Sequence, residues 1–222
     1  MNIHRILFFL ALSTILFSGC NKGNDFSGPI NSFKRYPYEK FHLSYELTGN
    51  ARGTEEVYVA GYGKDEAQFS NSEIFGEQGG INAEHHILIT HISRVYTVDT
   101  DRRNFMTTHM VHLDSLYHLD EKDIPTPIQY MQSEMKTNFL KNVGSDIVDG
   151  KPTSKWQMGD GEVTVWMWNG ILVKKTAGVG ENTIVMTIKN IDTLWAVDTM
   201  KFKIPAGYTE GKTHELDAPE SN

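Results

Sequence analysis

The chain has 222 residues, which suits one ordinary domain and is short for two. Its 28 Asp and Glu residues outnumber its 21 Lys and Arg residues, and the formal net charge of −7 argues against a nucleic-acid-binding protein. Hydrophobic residues make up 39% of the chain, which is enough to build a core. The single cysteine excludes an intramolecular disulfide and a multi-cysteine zinc site.

The N-terminus has the features of a bacterial lipoprotein signal. Arg5 precedes an apolar run over residues 6–17, about 18 Å long as a helix and too short for a hydrocarbon core of about 30 Å. The run ends in Leu-Phe-Ser-Gly-Cys, a lipobox pattern in which Phe17 stands where Leu is usual. This predicts a signal peptide over residues 1–19 and a lipid anchor on Cys20. The alternative is an ordinary secretory signal followed by a stray thiol.

The predicted anchor determines the expected location and cofactor content. A diacylglycerol and an amide-linked acyl chain such as palmitate on Cys20 would hold the protein on a membrane of the cell envelope, facing the periplasm or the exterior. Asn21 is not the Asp that marks inner-membrane retention in enteric bacteria, which favours the outer membrane. No other cofactor is expected, and no protein partner is identified.

The domain organisation is read from local composition. Residues 20–33 are predicted to be the lipidated cysteine and a flexible tether, because Gly, Asn and Ser are frequent there. Residues 34–208 are predicted to form a single domain, and the polar residues 209–222 a disordered tail.

Strict alternation of apolar and polar residues predicts antiparallel strands in the first half of the domain. Phe41, Leu43, Tyr45 and Leu47 share one face of the first strand, and a turn at residues 49–50 leads to the second. The adjacent carboxylates Glu55 and Glu56 of that second strand are read as solvated. Further strands are predicted at residues 65–75, 83–92, 94–99 and 104–109.

The period then changes to that of a helix. A helix is predicted over residues 127–141, starting with a capping box between Thr126 and Gln129. Its apolar face is expected to consist of Ile128, Met131, Met135 and Phe139. Residues 110–123, before it, are either a short helix or a long loop.

Strands resume in the second half, where Asn-Gly at residues 169–170 predicts a tight hairpin. Val163, Val165 and Met167 point to one side of its first strand, and Trp166 and Trp168 to the other. Apolar residues on both faces indicate that helices cover the second face or that the sheet curls around an apolar cavity. The strands are predicted near residues 146–158, at 162–168 and 171–175, and at 182–189 and 197–204.

Several of these local patterns together resemble the outer-membrane lipoprotein carriers of the LolA/LolB-like fold and their envelope relatives of Bacteroidota-like type. The resembling segments are the hairpin at residues 49–67, Tyr-Thr-Val-Asp followed by Arg-Arg at 96–103, Asp-Gly-Lys at 149–151, and the closing residues 202–208. The resemblance implies a mainly β fold with minor α content. It implies a strongly curved antiparallel sheet, an incomplete barrel, with one or two helices packed on or across the concave face.

In the carriers the concave face receives acyl chains. The resemblance therefore implies an envelope lipoprotein that binds an apolar ligand, namely an acyl chain, a lipid or a lipoprotein segment. The alternative is a membrane-anchored structural or interaction protein whose own helix fills the core. The residues expected to contact a ligand are Trp166, Trp168, Tyr45, Met131, Met135 and Phe139.

No pattern in the sequence points to catalysis or to a resident metal. His85 and His91 share one face of a strand but lie about 20 Å apart at 3.3 Å per residue, which is too far to share a metal ion. There is no zinc-binding helix motif, nucleophile elbow, phosphate loop or dinucleotide fingerprint. The protein is therefore expected not to be an enzyme.

The lipid anchor can be tested directly. Replacing Cys20 with Ala is expected to release the protein into the soluble envelope fraction and to abolish its labelling by an alkyne fatty acid, because no other thiol can accept the lipid. Unchanged membrane association and labelling in the variant would contradict the lipoprotein prediction.

Overall fold

The computed structural model describes residues 29–76 and 80–211, and these form one twelve-stranded sheet. The signal peptide, Cys20, the first part of the tether and the end of the tail lie outside the described residues. The sheet is strongly curved but is not closed into a barrel. The predicted fold class, mainly β with a few helices, is therefore confirmed.

Strands that are consecutive in the chain are neighbours in the sheet except at two places, where β1 pairs with β11 and β12 pairs with β6. Their order across the sheet is β12-β6-β5-β4-β3-β2-β1-β11-β10-β9-β8-β7, and every pair is antiparallel except β12 with β6. The bounds are β1 Phe41–Gly49, β2 Ala51–Ala60, β3 Asp65–Phe75, β4 Ile81–His91, β5 Arg94–Asp99, β6 Asn104–His109, β7 Lys141–Val148, β8 Lys151–Met158, β9 Val163–Trp168, β10 Ile171–Ala177, β11 Ile184–Asp192 and β12 Thr209–Glu210.

A single junction joins the two halves of the sheet. The meander β1–β6 and the meander β7–β11 meet where β1 pairs with β11, with Tyr45 opposite Ile188 and Leu47 opposite Met186. A register shift between Ser44 and Tyr45 marks a bulge in this junction, and bulges increase the local bend of a sheet.

Two helices lie between the halves in the chain. Helix α1 covers Val111–Leu116, within the segment for which helix and loop were both open, and helix α2 covers Pro127–Thr137. The predicted capping box is present, with the Thr126 hydroxyl accepting from the Gln129 amide. Helix α2 ends at residue 137 rather than 141, because the chain turns there into β7. Phe139 then adopts a φ of +61°, which takes it off the helical path.

Helix α2 packs on one face of the sheet, which we call the inner face. The strand register and the alternation of side chains along each strand identify the residues on this face. They are Phe41, Leu43, Tyr45, Leu47, Val57 and Val59, together with Met186 and Ile188 from β11. All of these side chains are buried, so the alternation that predicted β1 also identified its core-facing side. The Asn169–Gly170 turn has φ angles of +48° and +82°, as the predicted tight hairpin requires.

The opposite, outer face is covered over β3–β6 by the chain after β11. The strand predicted at residues 197–204 is wrong, because this segment forms a 3₁₀ turn at Thr199–Phe202 flanked by irregular chain. Its apolar residues pack on the outer face instead of pairing in the sheet. The contacts join Phe202, Ile204 and Tyr208 to the cluster of Ala67, Ile89 and Val98.

Three predicted boundaries also differ from those in the structure. The strands expected near residues 146–158 are the hairpin of β7 and β8, which begins earlier, at Lys141. Residues 31–33, predicted as the end of the flexible tether, belong to the folded structure, since Phe33 is fully buried and the Asn31 side-chain amide donates to the carbonyls of Leu116, the last residue of α1, and Leu119. The tail predicted from residue 209 begins with β12, which pairs with β6. Within the described ranges, no helix has the length and apolar character to cross a membrane.

The junction of the two halves predicts a large stability effect. Leu47 is 1% exposed and faces Met186 across the junction, so Leu47→Ala is expected to lower the free energy of unfolding by about 2–5 kcal/mol in urea titrations. The control is Thr48→Ala, an exposed neighbour on the outer face of the same strand, which should change stability by no more than about 0.5 kcal/mol. Equal effects of the two variants would contradict the inner-face assignment.

Candidate ligand-binding site

The contact between α2 and the inner face is rich in methionine. Met131 is buried and Met135 is partly buried against Met158 and Met167 of the sheet, so four of the nine methionines of the chain lie in one cluster. The cluster also contains Trp156, Val163, Val165, Ala177 and Leu140. Methionine is flexible and polarizable, and it suits surfaces that adapt to variable apolar shapes.

Only half of the predicted apolar face of α2 is used in this contact. Met131 and Met135 face the sheet, but Ile128 is 49% exposed and Phe139 is 81% exposed. Phe139 lies beyond the end of the helix, which is why the helical spacing misplaced it. Helix α2 therefore lies on the sheet through two methionine side chains in its middle.

Contacts and strand pairing place the two candidate tryptophans differently. Trp166 belongs to the same core cluster as Tyr45, and Trp168 packs against that cluster. Tyr45 lies on the inner face and is 3% exposed, whereas the pairing of Trp166 with Lys155 and Lys174 puts it on the outer face. Trp168 ends β9 beside the hairpin turn, with its ring 6.3 Å from that of Tyr38. Strand alternation alone could not indicate which side of β9 helix α2 would cover. The predicted ligand contacts of these residues remain predictions.

Trp166 also has charged partners on its side of β9. Its Nε1 donates to Asp146 Oδ2 at 3.1 Å, and the ammonium groups of Lys155 and Lys174 lie 5.2 and 5.0 Å from the ring centroid. These are cation–π distances, and the Trp166 side chain, which also packs in a core cluster, is 8% exposed. This arrangement stabilises the outer face of β7–β10.

The inner face also contains buried charged residues that the sequence interpretation missed. Glu55, read as solvated, is 2% exposed, and Lys175 of β10 is 3% exposed. Glu55 shares its side of β2 with Val57 and Val59, so the alternation of that strand was a signal that this carboxylate faces the core. Glu56, its neighbour, faces the outer side and pairs with His42.

Glu55 and Lys175 interact although β11 and β1 lie between their strands. Three interstrand spacings amount to about 14 Å in a flat sheet, so the curvature of the sheet brings the two side chains towards each other. Burial raises the pKa of Glu55 to about 7, opposed by a hydrogen bond with Gln68 and by the charge of Lys175. Burial likewise lowers the pKa of Lys175 to about 8, opposed by the charge of Glu55.

A second buried charge pair lies between the sheet and the helices. The Arg35 guanidinium is 2.9 Å from Glu66 Oε2, donates to the Gly63 carbonyl at 3.0 Å, and is 8% exposed. The Tyr36 hydroxyl donates to the same Glu66 oxygen at 2.9 Å. The pair anchors the segment before β1 to β3.

Phe33 ties this segment to both helices. Its ring makes edge-to-face contacts with Tyr117, just after α1, at 5.1 Å and with Tyr130 of α2 at 5.2 Å. Such pairs stabilise beyond the area that they bury. The chain that leads from the predicted lipid anchor is therefore wedged between the two helices.

The inner face is divided by its chemistry. On β1 and β2 and on β8–β11 it is mostly apolar, whereas on β3–β5 it is mostly polar. Glu55 and Lys175 lie at the margin of the apolar part. The polar side chains of β3–β5 on this face are Glu66, Gln68, Ser70, Ser72, Asn82, Glu84, His86, Thr90, Thr97 and Asp99.

Three of the histidines each pair with a different carboxylate. His42 pairs with Glu56, His91 with Asp65 at 2.6 Å, and His112 with Glu134 at 3.2 Å. The hydrogen bond with Glu134 raises the pKa of His112, whereas burial lowers that of His86. Among the described residues, no group of three potential metal ligands converges.

The chain was compared with known proteins at the level of sequence and of structure. No protein-family model matches it, and no curated protein is significantly similar in sequence. An uncharacterized conserved protein from Thermus thermophilus aligns over 79% of this chain and 91% of its own, with 5% identity and a TM-score of 0.48. PNGF-II aligns over 78% of this chain and 31% of its own, with 11% identity and a TM-score of 0.44.

LprF from Mycobacterium bovis aligns over 78% of this chain and 91% of its own, with 12% identity and a TM-score of 0.31. At these identities and TM-scores, none of the three proteins indicates what this chain binds.

The buried pair predicts a distinctive pH dependence of stability. The folded state raises the pKa of Glu55 from 4.5 to about 7, so its contribution to stability is present below pH 4.5 and is lost as the pH rises through 7. Lys175 shows the reverse: its contribution is present above pH 10.5 and is lost as the pH falls through 8. Stability from this pair should therefore be lowest between about pH 7 and pH 8.

Urea unfolding of the Glu55→Gln variant tests this. Relative to the unsubstituted protein, the variant is expected to gain stability between pH 5 and pH 7.5 by on the order of 3 kcal/mol, because it lacks the carboxyl that loses its proton. Glu56→Gln, on the outer face, serves as the matched control and should show no comparable gain. A pH-independent difference between Glu55→Gln and the parent would show that Glu55 has an ordinary pKa.

Proposed function

We propose that this protein is a lipid-anchored protein of the bacterial cell envelope that binds an apolar or amphiphilic ligand between α2 and the inner face of its curved sheet. The ligand class is an acyl chain, a lipid or a lipoprotein segment. The anchor is Cys20, and the outer membrane is the favoured location. The proposed activity is binding or carriage, without catalysis and without a cofactor other than the covalent lipid.

The observation that carries the proposal is the methionine contact of α2. A helix that serves only to fill a core would bury its whole apolar face, but Ile128 is exposed, and the apolar side chains of α2 that join the sheet cluster are those of Met131 and Met135. The side of α2 that faces the sheet packs through two flexible side chains, which can repack when the helix shifts, since methionine tolerates repacking. The apolar area beneath it would then be available to a ligand of variable shape.

The order of the segments along the chain also supports the proposal. Phe33, thirteen positions after the predicted anchor, contacts both helix regions, because its ring lies between those of Tyr117 and Tyr130. A short tether from the membrane surface would thus place α2 and the inner face close to the lipids. The resemblance of the hairpin motifs to lipoprotein carriers agrees with this placement.

The alternative function is that of a structural or interaction protein with a self-filled core. Exposed apolar residues on β7, which forms one edge of the sheet, favour this function. Ile147 is 73% exposed and Val143 is 50% exposed, shortly after the exposed Phe139 in the chain. Strand edges of this kind can pair with another chain. The two functions differ in whether the isolated protein takes up an amphiphile.

The role of α2 can be tested through its cap. Thr126→Ala removes the capping box and should weaken the helix end by about 1 kcal/mol, so release of a bound environment-sensitive apolar fluorophore should accelerate about fivefold in stopped-flow measurements. The protein would be the chain from residue 21 onward, which keeps every described residue. Ser115→Ala, which removes a local hydrogen bond on α1, is the control and should leave the rate unchanged.

The outcomes distinguish the two functions. Binding of the fluorophore with accelerated release in the cap variant supports α2 as a movable cover. Binding with an unchanged release rate would place the ligand away from α2. A folded protein that binds no amphiphile would contradict the binding function and favour the interaction protein.

A further inference from the structure

Glu55 has one oxygen that the described protein residues leave unsatisfied. The residue is only 2% exposed, yet within residues 29–76 and 80–211 no group hydrogen-bonds to Oε1. Gln68 hydrogen-bonds to the carboxylate, and Lys175 faces it from the other side of the curved inner face. Leaving a buried acceptor without a donor is costly, so this position calls for a hydrogen-bond donor that the neighbouring side chains do not supply.

The surroundings restrict what that donor can be. Glu55 and Lys175 together carry no net charge when both are ionised, and a further buried charge beside them would be expensive to desolvate. A neutral group that can both donate and accept suits the position, because it can donate to Glu55 and accept from the Lys175 ammonium. Hydroxyl groups have this property, whereas a carboxylate only accepts and an ester has no donor.

The position also matches the division of the inner face. The apolar side chains of β1, β2 and β8–β11 begin next to Glu55, on the side that α2 covers. Tyr45, beside Glu55 on β1, directs its hydroxyl to the Leu172 carbonyl at 2.7 Å and so is already satisfied. An elongated amphiphile would therefore have its chain on the apolar part and its head at the Glu55 margin.

We infer that Glu55, with Gln68 and Lys175, forms a binding subsite for the neutral, hydroxyl-bearing head group of an amphiphile such as an acylglycerol. This inference rests on the proposed function, since the acyl chain must enter beneath α2 for the head to reach Glu55. The subsite gives the protein a preference among ligands that share the same chain. Glu55 donates no proton and takes part in no reaction; it accepts a hydrogen bond from the ligand.

Three ligands that share the same oleoyl chain but differ in the head group separate the effect of the head group on affinity from that of the chain. 1-Oleoylglycerol has hydroxyl donors, methyl oleate has none, and oleate is an anion. Each would displace the apolar fluorophore from the chain that begins at residue 21. Between pH 7 and pH 8, where Glu55 and Lys175 are both mostly ionised, a hydrogen bond to the charged acceptor accounts for about tenfold in affinity, so 1-oleoylglycerol should bind about tenfold more tightly than either of the others.

Two variants locate that preference at Glu55. Glu55→Gln preserves the shape and should reduce the preference to about twofold or less, while methyl oleate binds as before. Glu56→Gln, on the opposite face of the same strand, should keep the full preference. The double variant Glu55→Leu with Lys175→Met replaces the pair by apolar groups of similar size. It should bind the three ligands almost equally, and it serves if the single variant folds poorly.

Each result either supports or overturns the inference. Equal affinities for 1-oleoylglycerol and methyl oleate, or a preference that survives in Glu55→Gln, would overturn the subsite and leave the proposed function standing. Tightest binding of oleate would also overturn it. If none of the three ligands displaces the fluorophore, or if no fluorophore binds, the proposed function itself fails.

Discussion

The pairing of β1 with β11 is the contact on which the rest of the structure depends. It joins residues 143 positions apart in the chain, as in the ion pair between Glu46 and Lys189, and it is the one place where the two meanders meet. Closing so long a loop costs entropy that the junction must offset by burial. It does so with Tyr45, Leu47, Met186 and Ile188, all of which are almost fully buried. Without this pairing there would be two sheets and no common inner face.

The curvature that follows from the junction gives the interior its mixed chemistry. Residues from β2 and β10 come towards each other across two intervening strands, and Glu55 and Lys175 interact electrostatically as a result. A buried pair of charges is a poor source of stability, because desolvation cancels much of the attraction. The inner face would be more stable if it were apolar throughout. The proposed contact with the polar head group of a ligand would explain this polar margin.

The candidate site was only partly accessible to sequence reasoning. Helical spacing identified Met131 and Met135 correctly as the contact of α2, because both lie within the regular part of the helix. The same spacing assigned Phe139 to this contact wrongly, because the helix ends before Phe139. For Trp166 the alternation of β9 defined two faces without saying which one α2 would cover. Glu55 was assigned to solvent because of its charge, although its position in the alternation of β2 placed it with the core residues.

The sequence by itself determined most of the local structure. Eleven of the twelve strands fall within or beside segments whose alternation, turns or hairpin signal predicted them, and the cap of α2 lies where Thr126 and Gln129 indicated. Such features depend on residues a few positions apart, whose conformational preferences act without the rest of the chain. Only the tertiary structure decided that β1 would meet β11, that residues 199–208 would cover the outer face, and that Glu55 would face Lys175. Those contacts join distant segments, and their energies depend on burial and curvature that exist only once the whole sheet has formed.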